Sequence, residues 1–173
     1  MVEGIFFEFA LPDDPFLDQF SSGYERTDHY FRSRRWFKAD KGRSSPPTYV
    51  FRTAEGGPTV GYCAYDFRKQ PYPDNASEAT ARYLVIYMIG VDQEFQGKQN
   101  PLAPGQTYAA SIMSVIEDIA RARESCVGLS LWVRSTNEAA IGLYRKVGFK
   151  EDPVRPSQQD DGDPILTMRK ILT

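Results

Sequence analysis

The nine residues Tyr83-Leu84-Val85-Ile86-Tyr87-Met88-Ile89-Gly90-Val91 are apolar with no polar alternation. A strand with one wet face alternates polar and apolar residues, so an unbroken run predicts a central strand covered on both sides. Such a strand needs further elements packed on both faces of its sheet. The chain supplies one directly. After a connection over Gln93–Gln106 that holds two glycines and two prolines, a helix starts near Thr107. In it Tyr108, Ile112, Val115, Ile116 and Ile119 form one apolar stripe, with Glu117, Asp118, Arg121, Arg123 and Glu124 largely opposite.

The remaining pattern fits around this centre. Ile5–Ala10 reads as a first strand, and Leu11-Pro12-Asp13-Asp14-Pro15 breaks it and opens a short helix. Tyr24–Lys41 has helical spacing, and Thr48–Arg52 and Thr59–Phe67 form a hairpin around Glu55-Gly56-Gly57-Pro58. Lys69–Ala81 is polar and reads as an exposed connection. Val127–Val133 is a second buried strand. Ser135-Thr136-Asn137-Glu138 has the form of a capping box with Ser135 as cap, and the helix it opens ends at Gly148. Phe149–Asp152 and Pro164–Leu172 read as closing strands, with Gln158–Asp163 a solvated turn between them. The order predicts a mixed α/β (α+β) fold with a strand–loop–helix–strand crossover at its centre, and a single domain over residues 1–173.

Composition removes several classes. The 173 residues are 41% hydrophobic and 25% charged with net charge −2, which suits one soluble globular domain and argues against nonspecific nucleic-acid binding. Cys63 and Cys126 form no disulfide framework and no zinc quartet, and no metal is expected. The acidic start MVEGIFFEFALPDD lacks a basic n-region, and the longest apolar run is too short to span a membrane. These features predict a cytoplasmic protein with no membrane partner. Asn75-Ala76-Ser77 matches a glycosylation sequon that nothing else supports.

The connection after Val91 is the first candidate for chemistry. A helix N-terminus carries unpaired N–H groups and a positive dipole end, which suits phosphate. Gly97, Gly105, Thr107, Ala109 and Ala110 are small enough to let a phosphate approach the backbone, and Lys98 adds charge. Gly97-Lys98 is followed by Gln99 rather than Ser or Thr, so it is no P-loop, and no GxGxxG follows a strand. An ordinary glycine-containing loop is the competing reading.

A second segment, Asn137-Glu138-Ala139-Ala140-Ile141-Gly142-Leu143-Tyr144-Arg145-Lys146-Val147-Gly148-Phe149, follows about forty residues on. Together with Val91-Asp92-Gln93-Glu94-Phe95-Gln96-Gly97-Lys98 it resembles the GCN5-related N-acetyltransferase (GNAT) superfamily. Asn137, Ala140, Leu143, Tyr144, Gly148 and Phe149 match the family's Asn…Ala…Leu-Tyr…Gly-Phe pattern, and the resemblance spans roughly Tyr83–Glu151. One departure is an insertion, Gln99–Gln106, inside the family's compact Gln/Arg-x-x-Gly-x-Gly/Ala loop. Two registers follow from it. Thr107 and Ala109 take the small-residue positions, or Gly105 takes one of them.

The resemblance implies a GNAT-type mixed sheet with splayed middle strands, and acetyl-CoA as cosubstrate. It implies that backbone groups of Ile89 and Val91 pair with the pantetheine arm and polarise the thioester. Gln96, Gly97, Lys98, Gly105, Thr107, Tyr108 and Ala109 supply the phosphate site, Asn137 contacts the cofactor arm, and Tyr144 acts as general acid. The acceptor is a small-molecule or peptide amine. A homodimer stays open, and so does the general base, for which Asp92 and Glu94 are candidates. His29 reads as a surface or structural residue.

Two other readings compete. Phe20-Ser21-Ser22-Gly23-Tyr24…Tyr30-Phe31-Arg32 loosely resembles acetyltransferase toxins that act on aminoacyl-tRNA, and Arg32, Arg34, Arg35, Lys38, Lys41 and Arg43 would serve that role. The acidic net charge disfavours tRNA as partner. The third reading is a non-catalytic acyl-CoA-binding module, against which the retained Tyr144 argues.

Overall fold

The computed structural model describes residues 4–34, 36–37, 45–71, 79–152, 158–160 and 163–173. Its elements are β1 (Phe6–Phe9), α1 (Glu25–Arg32), β2 (Thr48–Arg52), β3 (Thr59–Pro71), β4 (Thr80–Val91), α2 (Tyr108–Ala122), β5 (Cys126–Arg134), α3 (Glu138–Lys146), β6 (Lys150–Glu151), β7 (Gln158–Asp160) and β8 (Asp163–Ile171). The fold is mixed α+β with mostly antiparallel strands, as the element pattern predicts. The chain divides into two compact units, one of Met1–Tyr65 and Tyr87–Val115, the other of Asp66–Ile86 and Ile116–Thr173.

In the first unit β1, β2 and β3 form an antiparallel meander, with Phe7 opposite Phe51 and Tyr49 opposite Cys63. The end of β4 lies beside β3, where the Asp92 N–H donates to Val60 O at 2.8 Å. A side chain on Gly61 would collide with Gly90 O, so glycine at 61 is what lets these two strands close up. Gly90 is as constrained on its own side, because a Cβ there would stand 2.7 Å from Thr27 and 2.9 Å from Phe20. The core of this unit is Ala10, Leu17, Phe20, Phe31, Trp36, Val50 and Tyr62. Its rings meet in aromatic geometry, Phe20 edge-on to Tyr62 at 5.0 Å and Phe31 stacked on Tyr62 at 5.3 Å.

One buried ion pair sits among them. Arg52 donates to Asp14 Oδ2 at 2.8 Å and to Thr59 Oγ1 at 2.7 Å, and the Tyr62 hydroxyl donates to the same Asp14 oxygen at 3.0 Å. Burial, followed by the negative charge of Asp14, pushes the Tyr62 hydroxyl well above its usual range, so it remains a donor.

In the second unit the strand order is β4-β5-β8-β6, with β7 on β8. β4 and β5 run parallel from Arg82 opposite Cys126 to Ile86 opposite Leu131, and the other pairs are antiparallel. Arg169 pairs with Asp152 at 2.9 Å, donates to Pro71 O at 2.7 Å and lies 4.8 Å above the Tyr83 ring.

Several local expectations are corrected. The helix expected over Tyr24–Lys41 ends at Arg32. Arg34 adopts the left-handed conformation with φ 56°, its side chain bonding Pro12 O and Asp18, while the buried Trp36 indole donates to Phe31 O. Arg35, Lys38, Lys41 and Arg43 of the basic run lie outside the described residues, as does the Asn75 sequon. The exposed connection expected over Lys69–Ala81 is shorter, because β3 continues to Pro71 and β4 begins at Thr80. Gln158–Asp160 is strand rather than turn.

Both cysteines are unpaired, and burial pushes the Cys63 thiol far above its ordinary range, so it packs as a small apolar group. No helix among the described residues is long and apolar enough to cross a membrane.

Glu117 of α2 generates a testable pH dependence. It pairs with Lys170 of β8 and, at 2.7 Å, with Arg121. Burial alone would raise its carboxyl, but the hydrogen bonds and charges of Lys170 and Arg121 outweigh it and hold the group below its ordinary 4.5. A depressed carboxylate stabilises the fold above its unfolded value and loses that contribution as pH falls through the folded one. The stability difference between wild type and Glu117→Gln, roughly 1 kcal/mol or less for a partly exposed pair, is therefore expected to hold constant from pH 7 to 5. It should shrink below 4.5. Urea unfolding at stepped pH measures it, and a difference that grows on acidification contradicts the assignment.

Candidate phosphate loop and general-acid helix

The Val91–Ala110 segment lies wholly within the first unit. Asp92 organises its start. Its Oδ1 accepts from Glu94 N at 2.9 Å, its Oδ2 from Ser21 N at 3.0 Å, and its carbonyl from Phe95 N and Gln96 N. The turn then reaches Gly97, which has φ 71° and open space around its Cβ position. That left-handed geometry is the reason glycine stands there.

The insertion Gln99–Gln106 is a closed excursion. Asn100 N donates to Gln106 O at 2.8 Å and Tyr108 N donates to Lys98 O at 3.1 Å, with Gln99 and Thr107 facing each other as an isolated antiparallel bridge. Lys98 therefore abuts the first residue of α2 as if the nine residues between them were absent. Buried Asn100 holds the excursion in place. Its Nδ2 donates to Gly4 O at 2.7 Å and to Ser111 Oγ at 3.0 Å, and its Oδ1 accepts from Leu102 N at 3.0 Å. Sequence reading passed over Asn100, since only tertiary contact with Gly4 and Ser111 gives it a role.

This closure settles which amides face outward. In an antiparallel bridge of this pattern the bonds join the flanking residues, so the N–H groups of Gln99 and Thr107 themselves point away from the partner segment. Tyr108 spends its N–H on Lys98 O and packs its ring edge-on to Phe95 at 5.0 Å, which makes it a structural member of the loop. Thr107 sits at the cap of α2, its Oγ1 accepting from Ala110 N at 3.3 Å. Gly97, Gln99, Thr107 and Ala109 are left with no hydrogen bond from their N–H groups among the described residues. The first turn of α2 carries no acidic residue, so the positive end of its dipole is uncompensated, and Lys98 is exposed beside it. Gly105 lies out on the excursion with φ 81° and nothing within 4 Å of its Cβ position. Gln96 directs its Nε2 to Ser22 O at 2.7 Å and Val91 O at 2.9 Å.

Backbone alternation orients the end of β4. Asp92 N–H and Gly90 O face β3, so the polar groups of Ile89 and Val91 face away from it. Burial changes along β4 too: Tyr83–Ile86 are buried, whereas Tyr87 is exposed and Met88 and Ile89 are partly so. Asp92, named as a candidate base, has both carboxylate oxygens committed to backbone N–H groups. Glu94 is exposed, and His29 is exposed near the end of α1.

Tyr144 and Asn137 lie in the second unit, on and before α3. The cap of α3 is Asn137, whose Oδ1 accepts from Ala140 N at 3.2 Å, and not Ser135. Ser135 is instead held by its own N–H, which donates to Pro164 O at 2.9 Å, two residues too early to serve the helix. The Asn137 carboxamide oxygen is thus engaged, and its NH2 has no protein partner among the described residues. At the other end Gly148, with φ 95°, turns the chain so that Phe149 N donates to Tyr144 O at 2.9 Å. The Phe149 ring then packs 5.8 Å from that of Tyr144, which is buried. The Leu-Tyr…Gly-Phe spacing is physically a helix C-cap that fixes one tyrosine. No group of three or more His, Cys, Asp or Glu gathers among the described residues.

The family model described as the acetyltransferase (GNAT) family matches residues 10–149. A search of curated protein sequences gave no match. Among solved structures, a bacterial toxin is 16% identical with a TM-score of 0.67, covering 98% of this chain and 91% of its own. Arabidopsis thaliana NAA60 in complex with a bisubstrate analogue is 15% identical with a TM-score of 0.66, covering 98% and 99%. A mutant of the AtaT toxin, bound to the C-terminus of the antitoxin AtaR and acetyl-CoA, is 17% identical with a TM-score of 0.56, covering 95% and 92%. At these identities the likeness is one of fold.

Replacing Asn100 tests the closed excursion. Asn100→Ala leaves Gly4 O without its donor and is expected to cost about 1–3 kcal/mol. That is a drop of several degrees in melting temperature, with faster amide exchange at Tyr108. An unchanged melting temperature would show that the excursion is held by something else.

Proposed function

The chain belongs to the acetyltransferase (GNAT) family, and from that premise we propose that it transfers the acetyl group of acetyl-CoA directly to a primary amine. The observation that carries the cofactor assignment is the closed excursion at Gln99–Gln106. It turns the N–H groups of Gln99 and Thr107 outward, beside the N–H groups of Gly97 and Ala109 that have no partner among the described residues and the exposed Lys98, at a helix start that has no acidic residue. Such a cluster suits the pyrophosphate of coenzyme A.

In this reading Ile89 and Val91 pair with the pantetheine arm, and a β4 N–H polarises the thioester carbonyl. The amine nitrogen forms the new C–N bond as the C–S bond breaks, with no covalent enzyme intermediate. An alkyl ammonium, pKa ~10, must first lose a proton, and the thiolate of a leaving thiol, pKa ~8.5, must gain one. Tyr144 supplies that second proton from its hydroxyl. The NH2 of Asn137 is available to a carbonyl of the cofactor arm. Asp92 is unsuited to the base role, because deprotonating an ammonium would compete with two backbone hydrogen bonds.

The acceptor favoured is a small-molecule or peptide amine in the cytoplasm, the compartment to which two unpaired cysteines fit. A net charge of −2 weighs against aminoacyl-tRNA.

Thiol release from acetyl-CoA across a panel of amines tests the reading. Tyr144→Phe is expected to lower kcat by roughly 10²-fold or more, with acetyl-CoA affinity retained. An unchanged rate removes Tyr144 as the acid. Tight acetyl-CoA binding without turnover on any amine would identify a non-catalytic binding module.

A further inference from the structure

One side chain at the loop holds two backbone carbonyls that a simple phosphate loop would not need to hold. The Gln96 carboxamide donates one N–H to Val91 O at 2.9 Å and the other to Ser22 O at 2.7 Å. A primary amide has two N–H donors, so both are spent. Gln96 therefore contributes to the site through Val91 and Ser22, not through its own amide.

The consequence for Val91 follows from strand geometry. The N–H and C=O of one strand residue point to the same side. Since Asp92 N–H and Gly90 O face β3, both polar groups of Val91 face the other way, into the edge assigned above to the thioester. Left alone, that edge would offer a donor and an acceptor side by side. An incoming carbonyl oxygen drawn to the N–H would also meet the Val91 oxygen, and two partial negative charges in close approach repel. With Val91 O capped by Gln96, the N–H is the group that Val91 presents.

We propose that Gln96 is a positioning residue that makes Val91, at the end of β4, a donor-only position, selecting an acyl carbonyl over a free thiol there. The proposal rests on the acetyl-CoA reading above. The anchoring of Ser22 is part of the same device. Ser22 N and Oγ are held by Asp28 Oδ1 at 2.7 and 2.6 Å, and Ser21 is held by Asp92, so the carboxamide is clamped between two fixed carbonyls and cannot swing away from Val91.

The test compares acetyl-CoA with CoA, which differ only in the acetyl group that replaces the thiol hydrogen. Calorimetric binding of each is measured for wild type, Gln96→Leu, Gln96→Glu, Gln96→Arg and Ser22→Ala, together with kcat and KM on the best amine of the panel. Leu and Glu are close to Gln in size and lack its donors, while Arg restores several N–H groups. Loss of the cap is expected to cut the preference for acetyl-CoA over CoA, and kcat, by about tenfold, less than removal of a whole oxyanion donor costs. Gln96→Arg should recover most of both. Ser22→Ala removes only the hydroxyl's bond to Asp28 and keeps both the Ser22 N–H anchor and the carbonyl that Gln96 holds, so it should lower the melting temperature and leave the acetyl-CoA to CoA ratio unchanged.

Equal weakening of acetyl-CoA and CoA in Gln96→Leu and Gln96→Glu overturns the proposal, because Gln96 would then be an ordinary brace of the loop. A shift of the ratio as large in Ser22→Ala overturns it too. Wild-type protein that binds neither CoA nor acetyl-CoA overturns the cofactor reading itself, and with it the premise for Gln96.

Discussion

Asp92 is where the loop chemistry becomes a structural fact. Its N–H donates to Val60 O, its carbonyl accepts from Phe95 and Gln96, and its two carboxylate oxygens accept from Glu94 and Ser21. Every polar group of the residue is engaged, so the end of β4, the turn after it and the segment before α1 have one common anchor. Charge-assisted bonds to backbone N–H groups are stronger than neutral ones, and they do not depend on flexible side chains. The same arrangement commits both Asp92 carboxylate oxygens to backbone N–H groups and leaves Gln96 to reach two carbonyls.

That anchor explains how the loop tolerates eight additional residues. An insertion is cheap when its ends already meet, because loop-closure entropy grows slowly with length. Here the ends meet through the Lys98–Tyr108 and Asn100–Gln106 hydrogen bonds, and the interior is pinned by Asn100. The helix start and its outward amides are preserved, while the new residues lie beyond them. Gly105 and Leu102, exposed on the excursion, illustrate what was added without disturbing the site.

Much of this was legible in sequence, and the limits have physical causes. The apolar run does form strand β4, buried from Tyr83 to Ile86, but Tyr87 is exposed and Met88 and Ile89 are only partly covered, so the expected cover on both faces does not reach Val91. The stripe from Tyr108 packs inward because hydrophobic periodicity reflects burial directly. The helical spacing of Tyr30, Phe31 and Arg34 predicts a longer α1 than the Glu25–Arg32 helix that forms. Nothing local announces that Arg34 turns left-handed and bonds Pro12 O, far away in sequence. The spacing of Ser135 to Glu138 fits a capping box and predicts Ser135 as cap. Asn137 won because Ser135 is held by Pro164 O, a strand pairing invisible in the local pattern.

By itself the sequence determined the mixed α+β pattern, the loop before α2 and the Asn137–Phe149 segment, since each depends on periodicity, caps and glycine placement within a few neighbouring residues. Only the tertiary structure decided which amides of the loop face outward, that Tyr108 packs on Phe95 and donates to Lys98 O, and that Gln96 donates to Val91 O and Ser22 O. Those outcomes depend on bonds between residues far apart in the chain, Gln96 to Ser22, Asn100 to Gly4, Asp92 to Ser21. A local pattern constrains what a backbone prefers. It says nothing of which distant carbonyl will be within 3 Å of a given amide, and that distance is what assigns these residues their roles.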